Sequence, residues 1–334
     1  MGTAMPKRNW GPWVVALTLV AFVGLASVVY WPNRTPGSDE GLDSSRSIPY
    51  EGDAADAPNV PAPDVALGRC GMVTYTPPTA SEAHRADLCR PAGGPRGAVI
   101  LVHGGGGYSG DRSTTREWAD WYRAQGFVTL SIDYTLLGDG SPEPVYPRPE
   151  QDMKAAIQWA RIQAEPLGYD PQRILLHGSS AGARLAAQAF VTPGDSWFQG
   201  PDVWPDVADD AAGLIGFYGY YDGDTLEAER YYGGLPDTGD RPATRRWVHA
   251  DSVSQAVNAT GPVLLFHGDV DGLISIAQTE RFGAALAESG VDVTTFIVTD
   301  GDHAFDGRLG DLTTDTGADA AAEVATWLDE RFPA

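Results

Sequence analysis

From residue 72 to the C-terminus, short apolar runs alternate with longer stretches whose apolar positions recur every three or four residues. Ala98–Val102 is apolar at every position and ends in a run of glycines. Phe127–Ile132, Ile174–Leu176, Leu214–Tyr218, Val263–Phe266 and Val293–Val298 are short runs rich in aliphatic and aromatic residues, which predicts strands. Met153, Ala156, Ile157 and Ala160 share one helical face, so Gln151–Ala164 is expected to be a helix. Ser113–Gln125 reads as another, with Ser113 or Thr114 as its cap and Gly126 as its stop. Three more helices are expected at Ala183–Phe190, Ser275–Glu288 and Ala318–Phe332. Several of the strands lack polar alternation, so they are buried on both faces. Their alternation with helices predicts an α/β domain built on a mostly parallel sheet with helices on both sides.

The first 68 residues follow a different pattern. Val14–Tyr30 carries no charge and is flanked by Trp13 and Trp31. As a helix, Trp13–Trp31 would span about 28 Å, close to the thickness of a hydrocarbon core. Tryptophans at both ends suit the membrane interface, and Lys7 and Arg8 precede the run. Residues 1–31 are therefore expected to be a single-pass transmembrane anchor. A cleaved secretory signal with its small-residue site at Gly24-Leu25-Ala26 is the alternative. Residues 32–68 are rich in Pro, Gly, Ser, Asp and Ala, cannot bury enough apolar surface to order themselves, and are expected to be a disordered linker. The folded domain is placed at 69–334.

Cys70 and Cys89 are the only cysteines. They cannot supply a thiolate metal cluster, and in an exported domain they would pair. Together with the anchor they favour a cell-membrane protein whose globular domain lies outside the cytoplasm, or a secreted one if the signal is cleaved. The chain has 45 Asp+Glu against 23 Lys+Arg, a net charge of −22, so a nucleic-acid partner is not expected. Asp300, Asp302, Asp306 and Asp311 do not have the spacing of a calcium-binding loop. No metal or cofactor is expected.

The candidate chemistry lies in the loops that follow strands. Gly178-Ser179-Ser180-Ala181-Gly182 matches G-x-S-x-G between a strand and a helix, where a sharp turn would lift the central Ser180 above the sheet. Ser179 is the residue to discount. His103 through Gly107 follows an early strand, and its consecutive glycines let backbone N–H groups converge. Gly105 and Gly106, with the N–H of Ala181, are the candidate oxyanion hole. His103 itself is expected to shape the loop. A nucleophilic serine needs a base, and the base an orienting carboxylate. His303 follows the last strand, and Asp271 lies in the loop after the penultimate one, with Asp269 as its competitor. Tyr220, Tyr221, Tyr231, Tyr232 and Trp247 form an aromatic-rich segment that either packs on the surface or covers the site.

These pieces, with Ile132-Asp133-Tyr134, Asp152, Ala156 and Trp159, His267-Gly268-x-x-Asp271 and His303-Ala304-Phe305, resemble the α/β-hydrolase superfamily from about Arg96 to Phe332. The chain is most similar to carboxylesterases and lipases with an H-G-G-G loop, including acetyl- and feruloyl-esterase-like groups. The resemblance implies the α/β-hydrolase fold, the order Ser180, Asp271, His303 for the catalytic residues, and Asp271 over Asp269. Asp133 and Asp152 match the family and read as scaffold residues. The expected activity is carboxylic-ester hydrolysis through an acyl-enzyme, on a small or polymer-linked ester. A serine peptidase and a non-catalytic binding protein on the same fold are the alternatives.

Overall fold

The computed structural model describes residues 58, 60–138, 144–222, 228–234, 241–306 and 315–333. Eight strands, β1 (Cys70–Thr74), β2 (Arg85–Cys89), β3 (Ala98–Val102), β4 (Val128–Ile132), β5 (Ile174–Ser179), β6 (Gly213–Phe217), β7 (Val263–Gly268) and β8 (Val293–Val298), form one sheet. Their order is β1-β2-β4-β3-β5-β6-β7-β8. β2 runs antiparallel to β1 and to β4, and every pairing from β4 to β8 is parallel. Eight helices accompany them among the described residues: α1 (Arg116–Ala124), α2 (Arg148–Ile162), α3 (Ala164–Leu167), α4 (Ala181–Phe190), α5 (Ala228–Tyr232), α6 (Arg241–His249), α7 (Ala277–Glu288) and α8 (Asp315–Arg331).

Side chains alternate across a strand, so the wholly apolar strands feed two cores. Ile100, Val102, Leu176, Leu214 and Leu265 face one side, with residues of α2, α4 and α7. Val99, Leu101, Leu175, Ile215 and Leu264 face the other, with residues of α1 and α8. Each such buried aliphatic side chain contributes about 1.5–3 kcal/mol. The outermost strands, β1 and β8, are only partly covered. Parallel strands with buried faces end at one rim of the sheet, where the loops after β3, β5, β7 and β8 gather.

Local chemistry moves some predicted boundaries. Asp111, rather than Ser113 or Thr114, caps the start of the first helical segment, its carboxylate accepting from the Ser113 N–H at 2.7 Å. That segment opens as a 3-10 turn, Arg112–Thr115, before α1. α2 starts at Arg148, three residues before the predicted Gln151, because Pro149 fits a first helical turn where no N–H is needed.

The linker predicted over 32–68 ends earlier than expected. Val60 and Val65 pack against the domain core. Arg90 donates to the Val65 carbonyl at 2.9 Å, and Gln163 to the Pro61 carbonyl at 3.3 Å. Two spaced valines and these side-chain donors supply the partners that composition alone did not reveal. The anchor expected at Val14–Tyr30 and the linker up to residue 57 lie outside the described residues. Among the described residues no helix is long and apolar enough to cross a membrane. Cys70 and Cys89 face each other across the β1–β2 pair and form a disulfide.

Candidate active site

The site is built around a backbone that few residues tolerate. Ser180 joins β5 to α4 at φ 56°, ψ −120°. A non-glycine residue there stores about 1–3 kcal/mol of strain, which the surrounding structure must hold. Its N–H donates to the Phe217 carbonyl on β6 at 2.9 Å, and its own carbonyl starts α4 by accepting from Ala183 and Arg184. The turn closes only because its flanks lack side chains. A Cβ on Gly178 would lie 2.3 Å from the Gly182 carbonyl oxygen, and one on Gly182 would lie 2.1 Å from that of Val102.

The loop after β8 brings His303 over this turn. Its Nε2 is 3.1 Å from Ser180 Oγ, and its Nδ1 is 2.8 Å from Asp271 Oδ2. The Asp271 side chain is fully buried, whereas the His303 side chain keeps 18% of its exposure. Asp271 Oδ1 accepts two peptide N–H groups, from Leu273 and Ile274, each at 2.8 Å. With Nδ1–H donating to Asp271, Nε2 is left as acceptor for the serine hydroxyl. Asp269 is exposed and makes no contact with His303. Asp302 ties the two loops together, its Oδ1 accepting from Gly272 N–H at 3.0 Å and His303 N–H at 2.7 Å. Those bonds hold its carboxyl below the usual range.

The glycine loop after β3 lies against the turn: a Cβ on Gly104 would be 3.2 Å from Ser180 Cβ. Gly105, at φ 117°, folds the loop back, its carbonyl accepting from the Tyr108 and Ser109 N–H groups. The N–H groups of Gly105, Gly106 and Ala181 donate to no other described residue. That of Ala181 opens α4 and has no acceptor within the helix. His103 is buried, stacks on Tyr134 at 4.4 Å and places Nδ1 2.7 Å from the Gly104 carbonyl. Burial lowers its pKa.

The remaining histidines have other partners. His84 meets Thr135 and Asp152, His177 meets the Tyr122 hydroxyl, and His249 meets Tyr146 and Asp195. Asp152 accepts from the Thr135 N–H and Asp133 holds Arg112, so both are scaffold residues. Three residues near the site were not singled out for a role from sequence. His267 sits 3.3 Å from Asp271 and is held by Thr279 and the Ile274 carbonyl; its four-residue spacing to Asp271 was the available signal. Tyr218 packs edge-on against the His303 ring at 4.8 Å. Asp306, fully buried, accepts from Tyr218 and Trp118, and burial pushes its carboxyl up. Neither of the last two has a sequence signal.

The aromatic segment is mostly core. Tyr221 stacks on Phe282, while Tyr231 and Tyr232 cluster with Leu137, Val145, Tyr146 and Phe198. Under it, Arg184 on α4 pairs with Glu150 on α2 at 2.7 Å, both side chains buried.

A mixed sheet of this order, with a strained serine after the fifth strand and acid and histidine after the seventh and eighth, is an α/β-hydrolase fold. The chain belongs to the BD-FAE family, whose model matches residues 87–286. It is similar to esterase LipC of Mycobacterium tuberculosis, 31% identical over 71% of this chain and 59% of LipC. Esterase LipQ of the same organism is 30% identical over 66% of this chain and 53% of LipQ. The chain thus matches little more than half the length of these relatives. The propionate-bound esterase Est2 of Thermogutta terrifontis superposes with a TM-score of 0.66 at 22% identity, over 78% of this chain and 94% of Est2, which supports the fold.

Proposed function

We propose that this protein is a serine carboxylic-ester hydrolase acting through an acyl-enzyme. Ser180 Oγ attacks the ester carbonyl while its proton passes to His303 Nε2. Asp271 keeps the imidazole in the required tautomer and stabilises the imidazolium that forms. The N–H groups of Ala181, Gly105 and Gly106 receive the oxyanion. His303 then protonates the departing alcohol. Water gives a proton to the same nitrogen as it attacks the acyl-enzyme; His303 then returns that proton to Ser180 Oγ as the acid is released.

The observation that carries this reading is the unbroken chain Asp271–His303–Ser180, at 2.8 and 3.1 Å, beside a glycine loop whose Gly105 and Gly106 N–H groups have no acceptor among the described residues. The esterase names of LipC, LipQ and Est2 favour an ester over an amide. The test is a panel of 4-nitrophenyl esters run beside peptide anilides, with a fluorophosphonate label. Ester turnover and labelling of Ser180 are expected. Ser180→Ala should lose about 10⁴-fold or more in kcat while staying folded. Turnover of anilides alone, or no labelling, would refute the assignment.

We also propose that residues 1–31 anchor the chain in the cell membrane and that the hydrolase domain lies outside the cytoplasm, or is secreted if the segment is cleaved. The charge-free run between Trp13 and Trp31 supports this, as does the Cys70–Cys89 disulfide, since such bonds persist in oxidising compartments. Membrane fractionation with and without a salt wash tests it. Recovery of uncleaved protein in the soluble fraction would overturn the anchor.

A further inference from the structure

Asp306 has no obvious structural reason to be an acid. Its side chain is fully buried, no Lys or Arg pairs with it among the described residues, and an unpaired carboxylate in an apolar layer is costly. The surrounding layer is aromatic: Trp118, Phe217, Tyr218 and Phe305 pack ring against ring beneath His303. Within it the two carboxylate oxygens have separate tasks. Oδ1 accepts from the Tyr218 hydroxyl at 2.5 Å, and Oδ2 from Trp118 Nε1 at 3.2 Å.

Asp306 lies three residues beyond His303 on the same loop. Its two bonds therefore pin the loop that carries the histidine to α1, through Trp118, and to the end of β6, through Tyr218. Tyr218 is the consequential contact. It sits at φ 39°, with its N–H bonded to the Phe266 carbonyl at 2.7 Å, and it is the residue directly after the carbonyl that holds the Ser180 N–H. Its ring stands at 64° to the His303 ring, 4.8 Å between centroids. Hydrogen bonds at Nδ1 and Nε2 fix the two ends of an imidazole but leave it free to tilt about the line joining them. An edge-on ring blocks that tilt, provided the ring is itself held.

We propose that Asp306 is a positioning residue for the reaction, fixing Tyr218 so that the His303 imidazole stays in line with Ser180 and Asp271. The proposal rests on the esterase reading for its kinetic consequence, but its geometric content stands apart from turnover. The first test is kinetic, on the full chain with a 4-nitrophenyl ester. Asp306→Asn leaves one acceptor oxygen for two donors and is expected to lower kcat by about tenfold to a hundredfold, in the range that small misplacements of catalytic groups cost, with KM within about twofold. Tyr218→Phe should lose a similar factor, and the double variant should be no worse than the poorer single one, because both changes cut the same link. Wild-type kcat in either single variant, or losses that multiply in the double, would overturn the proposal. If Asp306→Asn does not fold, Tyr218→Phe decides alone. The second test reads geometry: the downfield proton resonance of the His303 Nδ1–H bonded to Asp271 should broaden or vanish in Tyr218→Phe and Asp306→Asn. A sharp, unmoved resonance in both would overturn the proposal. An inactive wild type would sink the esterase reading and leave this second result to decide the positioning role.

Discussion

Two buried carboxylates, Glu150 beside Arg184 of α4 and Asp271 beside His303, are met by opposite kinds of partner. Glu150 meets a permanent cation: its Oε1 accepts from Arg184 at 2.7 Å and from the Tyr231 hydroxyl at 2.8 Å, while the Tyr231 ring lies 4.4 Å below the guanidinium. Asp271 meets no such cation. Its carboxylate meets two peptide N–H groups, the His303 imidazole and, at 3.3 Å, the His267 imidazole. The first arrangement sets one anion against one permanent cation, although Glu150 Oε2 and Arg184 Nη1 find no hydrogen-bond partner among the described residues. The second is left short of one positive charge, which a proton arriving on His303 would supply. A carboxylate paired to arginine thus suits architecture, and one paired to peptide dipoles and a histidine suits proton transfer.

The largest expected effect separates the two by activity. Asp271→Asn should lower kcat by about 10⁴-fold, because an amide does not hold the imidazole in the needed tautomer. Asp269→Asn, on an exposed side chain, should change it little. Steady-state rates on one ester compare them, and a larger loss from Asp269→Asn would transfer the role.

Glu150→Gln should show the reverse profile. It leaves Arg184 buried without its counter-charge, at a cost of about 3–5 kcal/mol. Urea unfolding should record that loss, while folded protein at low denaturant keeps kcat within a few fold. A catalytic loss without a stability loss would mean that the Arg184 pair belongs to the chemistry.

Reducing the disulfide probes a region remote from both. Cys70 and Cys89, 19 residues apart, close a loop worth about 3 kcal/mol through the unfolded chain. Melting should fall on reduction, with ester turnover at room temperature unchanged. Lost turnover below the melting range would tie the β1–β2 edge to the site.

The smallest effect contrasts two histidines. In the proposed reaction His303 accepts a proton, whereas burial among Trp118, Tyr122 and Phe217 pushes His177 down to about 3. An unfolded histidine titrates near 6.5, so the neutral ring stabilises the fold fully above that pH. The contribution is lost progressively as pH falls from there toward 3, amounting to about 2 kcal/mol lost by pH 5. Melting curves across this window should therefore flatten in His177→Phe. An unchanged slope would assign the acid sensitivity to other groups.

What sequence alone determined was local. Wholly apolar runs marked β3, β5 and β7, because a strand buried on both faces tolerates no polar alternation. The glycines around Ser180 marked the turn, because close backbone approach excludes any Cβ. The chain order Ser180, Asp271, His303, together with the family resemblance, was enough to name the residues that meet. Tertiary structure decided the contacts that have no spacing. Asp306 reaches Tyr218 across 88 positions and Trp118 across 188, and Glu150 reaches Arg184 across 34. A lone aspartate or glutamate in a helical or loop stretch reads as solvated. Only the packing of distant elements removes its water and selects its partner, and that partner separates a carboxylate bound to an arginine from one that, in the proposed reaction, serves the proton.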